Sequence, residues 1–245
     1  MSKTPWYKDW FNSKYYHILY KDRNDYEANN FIKNIVSNLQ VKNSSRVLDL
    51  ACGKGRHSVQ LKKYYTQVVG VDLSEESIRY AISNYANEKL DFFVADMRTY
   101  NSEIKYDAIF NLFTSFGYFS DTDDNIKVLS SCNKLLSNKG ILVIDFLNAA
   151  KVKNTFIKTE EKIIDNINFK IRRKIENDCI IKNISFNVEN KEFSFNERVQ
   201  LITRELFFEL LKKTDFEIKN IFGSYDLDPY EDQSSDRLII VAQKK

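Results

Sequence analysis

Two acidic side chains, 23 positions apart, mark the ends of neighbouring apolar runs. Asp49 lies in a run that stops at Gly53 and Gly55, and Asp72 ends the next run, 68–71. Glycine lets a strand-to-helix turn bend sharply or approach a ligand closely, and the following helix directs free amide groups at that ligand. A carboxylate about 20 residues further on suits ribose hydroxyls. The spacing predicts a nucleoside site at the carboxyl edge of a parallel sheet.

The charge at the turn favours a ligand that carries a positive group. A carboxylate at Asp49 would repel a pyrophosphate and attract an ammonium group, and the third glycine of a dinucleotide fingerprint is absent. S-adenosylmethionine, with adenosine at one end and an amino acid at the other, fits Asp49 and Asp72 better than a dinucleotide does. A nicotinamide-dependent oxidoreductase is the alternative enzyme class.

Four stretches resemble the motifs of class I S-adenosylmethionine-dependent methyltransferases: 48–56, 70–74, 95–98 and 106–111. Ala51 stands where that family usually has its first glycine. The resemblance implies an α/β fold with a doubly wound, mostly parallel seven-stranded sheet, a reversed final strand and S-adenosylmethionine as cofactor. A non-catalytic binding module of the same fold is a further alternative.

The resemblance also implies roles for individual residues. An acid at Asp96 accepts a hydrogen bond from the adenine amino group, and Met97, with its flexible side chain, packs on the ring. Arg23 either clamps the methionine carboxylate with a two-pronged contact or is a surface charge. The full set of predicted cofactor contacts is Tyr20, Arg23, Asp49, Ala51, Cys52, Gly53, Gly55, Asp72, Leu73, Asp96, Met97 and Asn111.

Methyl transfer from a sulfonium is an in-line displacement that depends mainly on positioning. It requires no nucleophilic side chain or metal, and the sequence, with two histidines and no C-x-x-C pair, predicts no metal site. If the acceptor needs a general base, Tyr20 and Tyr118 are the candidates, whereas His57 is expected to support structure. The loop after the fourth strand lacks an Asn-Pro-Pro-Tyr motif, which favours a small-molecule acceptor over a nucleic acid.

Composition indicates an ordinary globular protein. The net charge is only +3, from 37 basic and 34 acidic groups, so no strong electrostatic case exists for nucleic acid or membrane binding. No apolar run approaches the ~20 residues of a membrane helix, and the N-terminus lacks the apolar core of a signal peptide. A cytoplasmic location is expected.

Periodicity divides the chain into three parts. Residues 1–40 are expected to be helical and aromatic-rich, and the resemblance implies that they form a lid over the cofactor, whereas 41–150 with 203–245 form the cofactor-binding domain. Period-two alternation over 151–202 predicts an antiparallel β insertion, and the resemblance implies that it lies over the active site or at a homodimer interface. A basic cluster inside it, 170–174, is interpreted as a solvated strand face.

Overall fold

The computed structural model describes residues 6–21, 25–119 and 121–245, in which helices alternate with the strands of a central sheet. That sheet contains β1 (Arg46–Leu50), β2 (Gln67–Asp72), β3 (Leu90–Val94), β4 (Tyr106–Asn111), β5 (Leu136–Leu147), β10 (Phe216–Phe222) and β11 (Arg237–Lys244). A second sheet contains β6 (Thr159–Ile164), β7 (Ile167–Glu176), β8 (Cys179–Val188) and β9 (Lys191–Gln200). The helices are α1 (Trp6–Phe11), α2 (Lys14–Leu19), α3 (Asp25–Asn38), α4 (Arg56–Leu61), α5 (Glu75–Tyr85), α6 (Thr122–Leu135), α7 (Ala149–Thr155) and α8 (Arg204–Lys213).

The central sheet has the strand order β10-β11-β5-β4-β1-β2-β3. Strands β1 to β5 pair in parallel, whereas β11 is antiparallel to both β5 and β10. This confirms the predicted seven-stranded, mostly parallel α/β sheet with a reversed final strand. The order reverses at β1, which has β2 on one side and β4 on the other, and open α/β sheets bind ligands outside the carboxyl ends of the strands at such a point.

Strand β1 is buried from its second residue to its last because helices cover both faces of the sheet. Val47, Leu48 and Leu50 are all fully buried.

The helix that follows β2 begins where the sequence predicts it. The Ser74 side chain accepts a hydrogen bond from the Ser77 backbone N–H at 3.1 Å, and Glu75, with its neighbour, places negative charge at the positive end of α5.

The insertion folds as an antiparallel sheet with the order β6-β7-β8-β9. One face of this sheet packs on the N-terminal helices: Phe169 and Ile184, both fully buried, belong to one apolar cluster with Trp10, Tyr15 and Leu19. The aromatic N-terminal segment is therefore held by the insertion.

Two elements of this region are not anticipated by the sequence-based interpretation, namely β6 and α7. Strand β6 is an edge strand in which only Ile164 is buried, so it lacks the apolar alternation that reveals its neighbours. Helix α7 is a short helix with Asn148 as its N-cap, and the Asn148 side chain accepts hydrogen bonds from the backbone N–H groups of Ala150 and Lys151. Among the described residues, no helix combines the length and apolar character needed to cross a membrane.

The glycine turn supplies a matched pair of substitutions. Gly53 and Gly55 both have positive φ, 55° and 83°, a conformation that costs L-residues about 1–2 kcal/mol. A Cβ on Gly55 would lie 2.8 Å from the Phe92 ring, whereas one on Gly53 would meet nothing within 4 Å. Gly55→Ala should therefore lower the free energy of unfolding by about 1–3 kcal/mol more than Gly53→Ala, as measured by urea denaturation. Equal losses would contradict this packing argument.

Candidate active site

A cavity of 510 Å³ opens at the carboxyl edge of the central sheet, where the strand order reverses. Its size is that of a pocket for a small organic ligand. The sheet contributes the glycine turn after β1 and the segments that follow β2, β3 and β4, and the N-terminal helices cover the opposite side. The predicted cofactor-binding residues that line it are Tyr20, Ala51, Cys52, Gly53, Asp72, Leu73, Asp96 and Met97.

Asp72 is fixed in the cavity wall by backbone donors from two elements. The Gly53 N–H donates to Oδ2 at 2.8 Å, and the Ser74 N–H donates to Oδ1 at 2.8 Å. Burial raises the pKa of Asp72, and the hydrogen bonds from Ser74, Gly53 and Leu73 offset only part of that rise. The carboxylate is thus held in one orientation, with lone pairs left to accept hydrogen bonds from a ligand.

Asp49 lies behind the cavity wall. Its Cα is paired with Gly70 of β2, two residues before Asp72, and its side chain is 1% exposed. The Ser58 hydroxyl donates to Asp49 Oδ2 at 2.5 Å. Burial, and to a smaller extent the negative charge of Asp72, raise the pKa of Asp49 to about 7. Because protein atoms lie between Asp49 and the cavity, its carboxylate can act on a ligand only electrostatically and by shaping the turn.

Two other predicted residues also support the wall from behind. Asn111, 1% exposed, donates from Nδ2 to the Leu50 carbonyl at 2.9 Å and so ties β4 to β1. Gly55 precedes α4 and lies against the Phe92 ring. Asn111 and Gly55 shape the turn, whereas the turn's surface toward the cavity is formed by Ala51, Cys52 and Gly53.

The segment after β3 forms the far end of the cavity, with Ala95, Asp96 and Met97 in its wall. Asp96 accepts hydrogen bonds from the Arg98 backbone N–H at 2.9 Å and from Arg98 Nη2 at 2.6 Å. Burial alone would raise the pKa of Asp96, but the Arg98 hydrogen bonds and charge outweigh burial and lower it. Asp96 is therefore ionised and already paired, with its carboxylate beside the apolar Met97.

A buried carboxylate on the insertion holds the N-terminal wall in place. Glu197 accepts hydrogen bonds from Trp10 Nε1 at 2.7 Å, from the Tyr20 hydroxyl at 2.7 Å and from Lys182 Nζ at 2.6 Å. Lys182 Nζ also donates to the Tyr20 hydroxyl at 2.6 Å. Burial would raise the pKa of Glu197, but the Lys182 charge and the three hydrogen bonds outweigh it and lower the pKa. Tyr20 is thus bonded to an ionised carboxylate.

The structure describes one of the two remaining residues named from the sequence, Tyr118, and not the other. Tyr118 lines the cavity and packs edge-on against Trp6 and Phe11, with ring centroids 5.5 and 5.4 Å apart. Arg23 lies outside the described residues.

Several cavity residues were not named as contacts in the sequence analysis. His17 lines the wall, and its Nε2 is buried without a hydrogen-bond partner among the residues that the structure describes. Burial and the nearby Lys54 charge lower the pKa of His17 to about 4, so the ring is neutral at pH 7. Lys54 and Arg56 also line the cavity. Their position on either side of Gly55 was the available signal, since a turn that exposes Gly53 exposes its neighbours too.

His57 is unsuited to take a proton near neutral pH. It is 8% exposed, and burial, together with the charges of Arg56 and Arg237, lowers its pKa to about 3. A general base works best with a pKa near the operating pH. This agrees with the structural role expected for it.

Comparison with known proteins identifies the family. Residues 41–185 match the family described as methyltransferase domain. YqeM of Bacillus subtilis, which is named as a methyltransferase, is 28% identical over 209 residues, 81% of this chain and 84% of that protein.

Two further similarities concern a sugar enzyme and a solved structure. The dTDP-3-amino-3,4,6-trideoxy-alpha-D-glucopyranose N,N-dimethyltransferase of Streptomyces venezuelae is 28% identical over 102 residues, 42% of each chain. The crystal structure of an S-adenosylmethionine-dependent methyltransferase from Clostridium acetobutylicum aligns with a TM-score of 0.79 at 22% identity, covering 94% of this chain and 96% of that one. This last similarity shows a shared fold.

The buried Asp49 predicts a pH-dependent stability. Its folded-state pKa of about 7 lies above the value of about 3.9 for an unfolded Asp. The folded state therefore binds more protons between these values, and the free energy of unfolding should fall as pH rises through that window, by up to about 1.4 kcal/mol per pH unit. Asp49→Asn, which can still accept from Ser58, should remove this contribution, as measured by urea denaturation at several pH values in the window.

The control is Asp91→Asn, at an exposed position on β3, which should keep the wild-type pH dependence. The same slope in Asp49→Asn as in the wild-type protein would contradict the assigned pKa.

Proposed function

The chain belongs to the methyltransferase family that its residues 41–185 match, and from that premise we propose that it transfers the methyl group of S-adenosylmethionine to a small-molecule acceptor by in-line displacement. The observation that carries this proposal is Asp72, held by the Gly53 and Ser74 N–H groups in the wall of a cavity of ligand size. The residues present fit the cofactor, because the Asp72 carboxylate lines the cavity with lone pairs left for hydroxyl donors, and Asp96 and Met97 line the same cavity.

We propose the following placement of the cofactor. Asp72 accepts hydrogen bonds from the ribose hydroxyls, and Leu73 and Met97 contact the adenine ring. Asp96, paired with Arg98, borders the adenine and is available to its amino group. Ala51, Cys52 and Gly53 form the surface next to the methionine part, and Asp49 stabilises the positive charge from behind them. Arg23, which lies outside the described residues, stays a predicted contact with the methionine carboxylate.

The chemistry supplied by bound S-adenosylmethionine is a methyl group activated on a sulfonium. The protein's own contribution is to position the acceptor and exclude water, which can lower the barrier by up to ~7–11 kcal/mol. Aromatic side chains from three segments close this part of the cavity: Phe11, Tyr16, Phe113 and Tyr118. Together they form an apolar wall where the two reactants meet.

Tyr20 is the residue we assign to handling the acceptor's proton. Its hydroxyl donates to the ionised Glu197 and accepts from Lys182 Nζ, so the oxygen is held where it can accept a hydrogen bond from the reacting amine, whose proton is released to water once the product leaves. The acceptor atom is proposed to be an amine nitrogen, as in the named activity of the Streptomyces venezuelae relative. Tyr118, on the same wall, is the second candidate.

Membership of the methyltransferase family argues against the nicotinamide-dependent oxidoreductase considered from the sequence. A homodimer through the insertion and a cytoplasmic location stay predictions from the sequence alone.

Cofactor affinity tests the placement of Asp72. Asp72→Ala should weaken S-adenosylmethionine binding at least about tenfold, since charge-assisted hydrogen bonds are worth roughly twice a neutral one. Isothermal titration calorimetry measures the effect directly. Asp91→Ala, which removes an exposed carboxylate of the next strand, should bind the cofactor as the wild-type protein does. Unchanged affinity in Asp72→Ala would overturn the assignment.

Label transfer tests Tyr20. With methyl-labelled cofactor at saturation and a small-molecule cell extract as the acceptor source, Tyr20→Phe should slow product formation by about 10²-fold or more, the usual contribution of a positioned acid–base group. Tyr26→Phe, at a position that is 74% exposed, serves as the control. A Tyr20→Phe protein with the wild-type rate would exclude a role in proton transfer.

A further inference from the structure

A second cavity of 310 Å³ adjoins the first, between the insertion and the carboxyl edge of the central sheet. The two cavities share the side chains of Phe11, Tyr16, Tyr20, Phe113 and Tyr118. A molecule that lies in the second cavity can therefore reach the first past this aromatic wall. Such an arrangement suits an acceptor whose reacting atom points into the first cavity while the rest of the molecule lies in the second cavity.

Cationic side chains dominate the polar lining of the second cavity. Arg173, Lys182 and Arg237 line it, whereas Glu197 is the one carboxylate that lines it among the described residues. Both oxygens of Glu197 already accept hydrogen bonds, from the three donors that hold the N-terminal wall. The cavity thus offers a ligand more donors than acceptors.

Arg237 is fixed by two hydrogen bonds, and its guanidinium group has a further nitrogen that can donate to a ligand. Its Nε donates to Asp145 at 2.7 Å and its Nη2 donates to the Thr114 hydroxyl at 2.9 Å. Asp145 is fully buried and also accepts from the Phe113 backbone N–H at 2.8 Å. Within the described part of the chain, Nη1 of Arg237 donates to no protein atom, although 19% of the side chain is accessible.

Arg173 reaches the same cavity from the insertion. Residues 167, 169 and 171 of β7 are buried against the N-terminal helices, and period-two alternation puts Arg173 on that same face. Its Nη2 bonds Glu160 at 2.5 Å and its Nη1 bonds the Ile157 carbonyl at 3.2 Å, which leaves Nε without an acceptor among the described residues. The interpretation of 170–174 as one solvated face is therefore wrong for Arg173, while Arg172 is exposed.

We propose that the methyl acceptor carries an anionic group, a carboxylate or a phosphate, and that Arg173 and Arg237 hold it in the second cavity. This proposal rests on the methyl transfer proposed above. Guanidinium groups match the geometry of both anions through paired hydrogen bonds. Anchoring that group beyond the aromatic wall leaves the amine of the acceptor to extend past Tyr20 toward the cofactor.

The test uses the whole 245-residue chain saturated with S-adenosylhomocysteine, titrated in separate experiments with inorganic phosphate and with acetate by isothermal titration calorimetry. We expect saturable binding of at least one anion, weakened about tenfold by Arg173→Gln. Arg172→Gln is the matched control, because it removes the same charge from the exposed face of the same strand and should change affinity less than twofold. Arg173→Lys, which keeps the charge and loses the planar fork, should lie between Arg173→Gln and the wild-type protein.

The outcomes separate the possibilities. Preference for phosphate assigns a phosphorylated acceptor, and preference for acetate assigns a carboxylic acid. Equal weakening by Arg172→Gln and Arg173→Gln, or no saturable binding of either anion, would overturn the proposal. Failure of S-adenosylhomocysteine itself to bind would instead count against the proposed function. Circular dichroism of each variant establishes that the fold is kept.

Discussion

The site depends on the hydrogen bonds that two backbone N–H groups make to the Asp72 carboxylate. The Gly53 N–H comes from the turn after β1, and the Ser74 N–H comes from the start of α5. Because β1 and β2 are parallel neighbours, their carboxyl ends meet at one edge, and the two connections that leave them can share one side chain. Asp72 therefore joins the two turns and is at the same time presented to the cavity.

A second constraint connects the insertion to the N-terminal helices. Glu197 is a buried carboxylate whose partners come from α1, from the end of α2 and from β8. Removing one partner of a buried charge is costly, since the other is left uncompensated. The helices that cover the cofactor cavity are consequently held by the sheet that also borders the second cavity. Anything that shifts the insertion would act on Tyr20, which lines both.

The regular part of the fold was accessible from the sequence because its signals are local. An apolar run that stops at a glycine turn specifies β1, and Ser74 with the acidic residues after it specifies the start of α5. Strand β6 was missed because an edge strand with one buried side chain has no apolar alternation. Arg173 was misassigned for a related reason: it stands in a basic run, and only the pleat of β7 separates it from exposed Arg172.

The sequence alone determined which strands carry acidic residues to the sheet edge, because motif spacing fixes the order of strand, turn and helix along the chain. Only the tertiary structure decided which of those residues line the cavity. Asp49 and Asp72 look equivalent in sequence, but strand register places Asp49 two residues below the edge and Asp72 at it. Long-range packing likewise decided that Glu197, far along the chain, meets Tyr20. Depth in a sheet and contacts between distant segments are set by strand pairing, which local sequence does not encode.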